Sequence, residues 1–367
     1  MSIGHDEYWS GGQRANVEAA RAAGVHLAFF SGNEIFWKTR WESSIDGTTT
    51  PYRTLVSYKE TTAGTDIDPT NIWTGTWRDP RSFNPEGANP ENALTGQIFT
   101  VNCCSYAIEV PAEAGQMRFW RDTSIAALTS GQVATLPNET LGYEWDEDLD
   151  NGSRPAGAFQ LSSTTVNVPQ YLQDFGSTYD EGTATHAMTL YRHSSGALVF
   201  GAGTIQWAWG LDSVHDRGNS APDIRMQQAT INLLADMNVQ PATLQSGLVA
   251  ATASTDFTAP TSTLGNPLDG ASVEAGNAII ISGSATDSGG GVVGGVEVSV
   301  DGGTTWRRAN GRANWTYQWI PSTIGSTTIQ SRAVDDSGNL ETPSAGITVD
   351  VAPQSCPCSL WNDTFTP

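Results

Sequence analysis

The segment Gly4-His5-Asp6-Glu7-Tyr8-Trp9-Ser10 places an imidazole, two carboxylates, a phenol and an indole at residues 5–9. Imidazole and carboxylate side chains held side by side are the usual means of moving protons at neutral pH. A second polar bend, Ser31-Gly32-Asn33-Glu34, follows a short apolar run and adds an amide and another carboxylate. Trp37, Trp41, Trp73 and Trp77 follow, with Lys38 and Arg40 among them. These indoles could form an aromatic wall for a sugar or a flat substrate, or they could be core. A third concentration is Gly142-Tyr143-Glu144-Trp145-Asp146-Glu147-Asp148-Leu149-Asp150. Asp146, Asp148 and Asp150 alternate like the opening of a calcium loop, since hard oxygen donors suit that ion. Asn151 stands where the glycine of such a loop belongs and no glutamate closes it, so an EF-hand is excluded. An irregular calcium site and a solvated acidic loop both remain open. His186, His193 and His215 show no metal-binding spacing.

Positioning these groups falls to a helix and its flanking strands. Ser10-Gly11-Gly12-Gln13 has the form of a capping box, Gln13 to Ala23 is rich in helix formers, and Gly24 suits a stop. Val25 to Phe30 reads as a buried strand. In a doubly wound sheet the bends at His5–Glu7 and Asn33–Glu34 would share the carboxyl ends of adjacent parallel strands, where ligands bind. The alternative is that Asp6 and Glu7 favour the positive helix end, with Tyr8 and Trp9 packed as core. Further along, Asp223 to Asn238 has helical periodicity behind Pro222, and His186 to Trp209 reads as a hairpin. Ala250 to Pro260 has linker composition. Thr261 to Val351 is patterned as five to seven short strands with Gly and Asp turns. Within it, Ser299 to Trp306 matches an Asp box, a hairpin turn rather than a ligand site.

Composition narrows the partners. Across 367 residues, 18 basic side chains against 39 acidic ones give a net charge of −21, which argues against nucleic acid or an anionic membrane. No apolar run approaches the ~18 residues of a membrane span, so membrane insertion is not expected. Low Lys with abundant Gly and Trp suggests a secreted or cell-surface protein, although no signal peptide precedes His5. The four cysteines form two close pairs, Cys103-Cys104 and Cys356-Pro357-Cys358, with neither zinc spacing nor the density of a disulfide scaffold.

Together, GHDEYWS, GVHLAFFSGNEIFWKTRW, TGTWRDPR, PENALTG and GALVFGAGTIQWAWGL resemble the carboxy-terminal domain of the large (beta) subunit of N,N-dimethylformamidase, in order over roughly residues 4–240. Exported actinobacterial multidomain relatives of that family fit best. The resemblance implies an α/β flavodoxin-like core, related to class I glutamine amidotransferases, with added β-structure, here truncated at its N-terminus. It also implies a mononuclear iron held by two tyrosines and a glutamate. Tyr8 matches one tyrosine, the second would lie upstream of the sequence, and Ile72 falls where the glutamate is expected. A ferric ion would stabilise a phenolate and polarise an amide carbonyl. On this reading Tyr8 is the metal ligand, His5, Glu7 and Glu34 are the catalytic candidates, and Asn33, Trp37 and Trp77 contact substrate. The segments VEVSVDGGTTW and SRAVDDSGN resemble bacterial immunoglobulin-like modules, and CPCSLWNDTFTP the start of a further domain. The expected organisation is an α/β domain over 1–250, a linker over 251–259, an all-β immunoglobulin-like sandwich over 260–352, and a further domain or tail from 353. Two functions compete: a metal-dependent hydrolase of amide carbon–nitrogen bonds acting on a small-molecule amide, and a non-catalytic module that binds a cell-surface glycan or serves as a spacer.

Overall fold

A computed structural model describes residues 1–218 and 221–355. The Cys356–Cys358 pair and most of the expected tail lie outside the described residues. β1 (Ser2–His5) runs parallel to β3 (Leu27–Gly32), and β3 parallel to β14 (Leu198–Gly201). Antiparallel β13 (Thr189–Arg192) and β10 (Phe159–Gln160) extend this sheet in the order β1-β3-β14-β13-β10. The crossover to β3 is α1 (Gly11–Ala22), started by Ser10, whose Oγ accepts the Gln13 amide at 3.2 Å. Just before it, β2 (Tyr8–Ser10) pairs parallel with β4 (Trp37–Glu42), and β5 (Thr54–Val56) adds antiparallel to β4.

The long middle of the sequence builds β-structure and loops. Strands β6 (Ile98–Val101), β9 (Trp145–Glu147), β11 (Thr164–Leu172) and β12 (Tyr179–His186) pair in a closed ring. A ribbon of β7 (Glu109–Pro111) and β8 (Val133–Thr135) lies beyond. Helices α2 (Glu60–Ala63), α3 (Asn92–Thr95) and α4 (Ala112–Gly115) are single turns. The one other long helix, among the described residues, is α5 (Ile224–Asp236), capped by the Asp223 carboxylate on the Arg225 amide. Its apolar face, Met226, Ala229 and Leu233, enters a core with Phe119, Phe200 and Trp207, where the rings of Phe119 and Phe200 stack at 5.4 Å.

This architecture overturns the expected α/β flavodoxin-like core. A doubly wound fold needs repeated strand–helix–strand crossovers that cover both faces of a parallel sheet. Here the described chain has one such crossover helix ahead of β3, and the remaining connections are hairpins and loops. The molecule is predominantly β. Polar loops stand where helices were expected because their own carboxylates organise them: buried Glu60 accepts the Ile67, Asp68 and Thr74 amides.

Residues 261–352 form two facing sheets. One has the order β15 (Thr261–Asn266), β17 (Ile279–Thr286), β21 (Asn314–Trp319), β20 (Asn310–Gly311). The other is β16 (Ser272–Glu274), β23 (Ile347–Ala352), β22 (Gly325–Asp335), β18 (Val293–Ser299), β19 (Arg307–Arg308). Ile281, Val296, Trp315, Ile329 and Val349 fill the space between them. In the Asp box, Asp301 Oδ1 accepts the Thr305 amide at 2.8 Å, and the Arg332 guanidinium covers the Trp306 ring at 4.1 Å. The two regions meet over a buried polar seam. Arg154 lies between Asp148 and Glu297, and Glu297 Oε1 also accepts the Gly157 amide at 2.9 Å. No helix among the described residues is long and apolar enough to cross a membrane.

Candidate functional site

The polar bends after β1 and β3 are stitched together through their backbones. The Ile35 amide donates to the Asp6 carbonyl at 2.9 Å and the Trp37 amide to the Glu7 carbonyl at 2.7 Å. Asp6 is committed locally, accepting from Ser2 Oγ at 2.5 Å and Trp9 Nε1 at 2.7 Å. That leaves His5 and Glu7 at the mouth, where His5 Nδ1 pairs directly with Glu7 Oε1. The third contributor is Glu144, at the entry to β9, whose Oε2 lies 3.5 Å from His5 Nδ1. Asn33 Nδ2 donates to the same oxygen at 3.3 Å, and the Tyr143 hydroxyl meets His5 Nε2 at 2.9 Å. The His5 side chain is 47% exposed, Glu7 15% and Glu144 17%, so the cluster opens to solvent on its histidine side.

The bend carrying Asn33 is held in a conformation that ordinary residues avoid. Asn33 (φ 54°) and Ile35 (φ 56°) both adopt left-handed backbone, and for a β-branched residue that is a true outlier. Such strain persists where the surroundings over-determine it, commonly at functional sites. Gly32 permits the approach: a Cβ there would lie 2.9 Å from the Glu144 carbonyl oxygen and 3.0 Å from Thr204 Cα.

Beneath the open cluster sits a second, closed one. Glu34 is buried, accepts Ser31 Oγ at 3.1 Å, and faces Asp146, whose Oδ1 accepts the Asn33 amide at 2.7 Å. Burial first, and the Asp146 charge second, hold the Glu34 carboxyl well above the usual carboxylate range; burial also raises Asp146. Glu34 Oε2 and Asp146 Oδ2 are buried with no other partner, which a proton retained on Glu34 satisfies. Glu144 is raised as well, by burial foremost, with the neighbouring Glu7 charge adding to it.

The structure thus brings His5, Glu7 and Asn33 together and sets Glu34 directly below them. Other expected residues lie elsewhere. Tyr8 is 41% exposed, its ring under the Lys59 ammonium at 5.4 Å, and no described contact ties its hydroxyl to the cluster. Trp37 packs with Phe36, Phe99 and Leu172; Trp77 packs with Trp9 and Leu94 under the Arg14 guanidinium. Each is 8% exposed. Ile72 is a surface residue. The three alternating aspartates share no centre: Asp146 faces Glu34, Asp148 pairs with Arg154 and Arg308, and Asp150 pairs with Arg307. Tyr143 and Glu144 join the site although the sequence of that string marks only its alternating aspartates. Nothing in the local pattern connects residue 144 to residue 5.

His5, Glu7 and Glu144 each offer one ligand atom, all within 4.8 Å of one another, an arrangement able to hold a metal ion. A family profile described as N,N-dimethylformamidase beta subunit-like, C-terminal, matches residues 1–221, the part of the chain that carries this cluster. The chain belongs to that family. Residues 260–336 match a bacterial Ig domain. Among solved structures, fibronectin(III)-like modules of Clostridium thermocellum CbhA align at 27% identity, covering 25% of this chain and 94% of theirs. The TM-score of 0.22 is too low to define a common fold. No curated protein matches the sequence.

Proposed function

We propose that the family domain hydrolyses carbon–nitrogen bonds of small amides at the His5–Glu7–Glu144 cluster, with a metal ion held by those three side chains. The observation that supports this reading is the convergence of an imidazole and two carboxylates, from segments about 140 residues apart, at the rim of a strained bend. The donor set suits an iron of the kind the family resemblance implies, since one nitrogen and two carboxylates make a hard, oxygen-rich site. Fit is also argued by the crowding of Glu7 against Glu144, which a cation would relieve, and by Asn33 Oδ1, buried without a partner beside them. Tyr8 is left out of the proposed ligands because its described contacts lie with Lys59.

A bound metal would supply Lewis acidity to the amide carbonyl. The chain's own groups would do the rest. His5 would meet the ion through Nδ1, the nitrogen that faces Glu7 and Glu144, while the Tyr143 hydroxyl on Nε2 fixes the tautomer and orientation of the ring. Asn33 holds the Glu144 carboxylate in position, and the Glu144 oxygen left off the ion would take the proton of the attacking water and pass it to the departing amine. Glu34 stays below the cleft, where it supports the bend. Burial of Trp37 and Trp77 leaves no aromatic platform at those positions for a glycan. The bacterial Ig module and the low lysine content support an exported location for the domain.

The test is release of amine or ammonia from a panel of small formamides and acetamides by metal-loaded protein. Turnover that falls about 100-fold or more in both Glu144→Gln and His5→Ala, with folding intact, supports the reading. Turnover unchanged in both variants, or absent across the panel in the wild type, refutes it.

A further inference from the structure

A second acidic cluster lies where the two regions of the chain join. Asp256 comes from the segment entering the sandwich, Asp287 from the turn after β17, and Asp335 from the end of β22. One carboxylate oxygen from each lies within 4.8 Å of the others. Acidic turns alone are common, and most of these oxygens have turn amides as donors: Asp287 accepts from Gly289 and Gly291, and Asp335 from Ser337 and Asn339. Asp256 is different. It is only 8% exposed, its Oδ1 accepts the Thr258 amide, and its Oδ2 is buried without any partner.

That lone oxygen has a direction. A Cβ built on Gly291 would sit 3.1 Å from Asp256 Oδ2, 3.0 Å from Asp287 Oδ2 and 2.6 Å from Asp336 Oδ1. Carboxylate oxygens from three separate turns therefore crowd the same side of the Gly291 backbone, and their approach depends on residue 291 having no side chain. No ion pair reaches any of these aspartates among the described residues. Arg118, whose amide meets Asp336 Oδ2 at 2.8 Å, turns its guanidinium to Asp236 instead. An unpaired buried carboxylate among other carboxylates is strongly unfavourable unless a cation or a proton joins it, and a cation can satisfy several of them at once.

We propose that Asp256, Asp287 and Asp335, with Asp336 Oδ1 adjoining, bind a divalent cation of the calcium type at the junction between the family domain and the immunoglobulin-like sandwich. Calcium takes six to eight oxygens at about 2.3–2.6 Å in irregular geometry, which suits carboxylates drawn from several turns. Remaining positions are open to water, because Asp287 and Gly291 also line a cleft of about 940 Å³ between the two regions, beside Glu113, Gln160, Arg308 and Arg312. The bound ion would lock the junction. Ser337, two residues after Asp335, touches both the first region and the connecting segment: its carbonyl accepts the Arg192 guanidinium at 2.6 Å, and its Oγ meets Ser254 Oγ at 2.7 Å.

The experiment uses the full chain, freed of metal by chelation and titrated with calcium chloride by calorimetry and by thermal melting, with magnesium chloride as comparison. Calcium is expected to bind with a stoichiometry that drops by one in Asp256→Asn and to raise the wild-type melting temperature by at least about 3 °C. Gly291→Ala leaves every charge in place, but its methyl would press on the Asp336, Asp287 and Asp256 oxygens and move them apart, so it should abolish the same binding event. In chelator, Asp256→Asn should melt at or above the wild type, because the substitution removes a buried charge while keeping the Thr258 contact. Glu144→Gln should leave the event intact, which separates this site from the His5–Glu7–Glu144 cluster. Absence of calcium binding in the wild type overturns the proposal, as does calcium binding that survives in both Asp256→Asn and Gly291→Ala.

Discussion

His186 couples the stability of the family domain to pH, with a sign and size that follow from its surroundings. The ring is fully buried on β12, its Nε2 contacts the Ala202 carbonyl at 2.9 Å, and its Nδ1 has no partner. Trp145, the residue after Glu144, packs edge-on against it at 6.1 Å. Burial disfavours the imidazolium and lowers the pKa from 6.5 to about 4. The unfolded chain therefore takes up a proton near pH 6.5 that the folded chain refuses until about pH 4. The contribution of His186 is complete above pH 6.5 and is lost as the solution is acidified through that window. At about 1.4 kcal/mol per tenfold change in proton affinity, the full loss is about 3 kcal/mol, and about 2 kcal/mol has gone by pH 5. His186→Gln has no proton to gain and can still donate to the Ala202 carbonyl. Urea denaturation of both proteins at pH 7.5 and pH 5 reads the difference. The wild type should lose about 2 kcal/mol more than the variant. Equal losses would mean that the ring is protonated or solvated in the folded state, and the account of the packing behind β9 would fail.

Further expectations concern the bend and the seam. Glu34→Gln should leave stability near neutral at pH 5 and raise it above wild type at pH 8. The raised carboxyl contributes only while protonated, and loses that contribution as pH rises through its folded pKa; thermal melts at the two pH values check the sign. Gly32→Ala should destabilise by about 1–3 kcal/mol, because the methyl meets the Glu144 carbonyl and Thr204 backbone rather than a side chain that can move; chemical denaturation measures it. Arg154→Met should cost about 3 kcal/mol and loosen the two regions, since buried Asp148 would keep only Arg308 as a cationic partner; denaturation and proteolysis at the junction report it.

Local patterns were legible in the sequence, and long-range assembly was not. Ser10 capping α1, the apolar run that became β3, and the periodicity of Met226 and Leu233 in α5 each depend on neighbours a few residues away. The same holds for the alternation that gave β18 and β21. The doubly wound core that the family resemblance implied is absent, because loops such as residues 57–97 are ordered by buried carboxylates and threonines, which carry no period. At the site, the approach of the His5 and Asn33 bends follows from two parallel strands and is readable. Glu144 and Tyr143 arrive through the closed ring of β6, β9, β12 and β11, a pairing across many tens of residues that no local signal marks. The tryptophans were ambiguous for a related reason: an indole in a polar loop is equally suited to a wall and to a core, and only burial separates the two.

On the proposed reading, His5, Glu7 and Glu144 form a single metal-holding centre. Its most direct measurement is a competition titration of chelator-treated protein with ferrous or zinc ion, comparing wild type with Glu144→Gln, His5→Ala and Tyr8→Phe. One tight equivalent is expected in the wild type, retained in Tyr8→Phe and lost in the other two. Loss in Tyr8→Phe with retention in Glu144→Gln would contradict that reading.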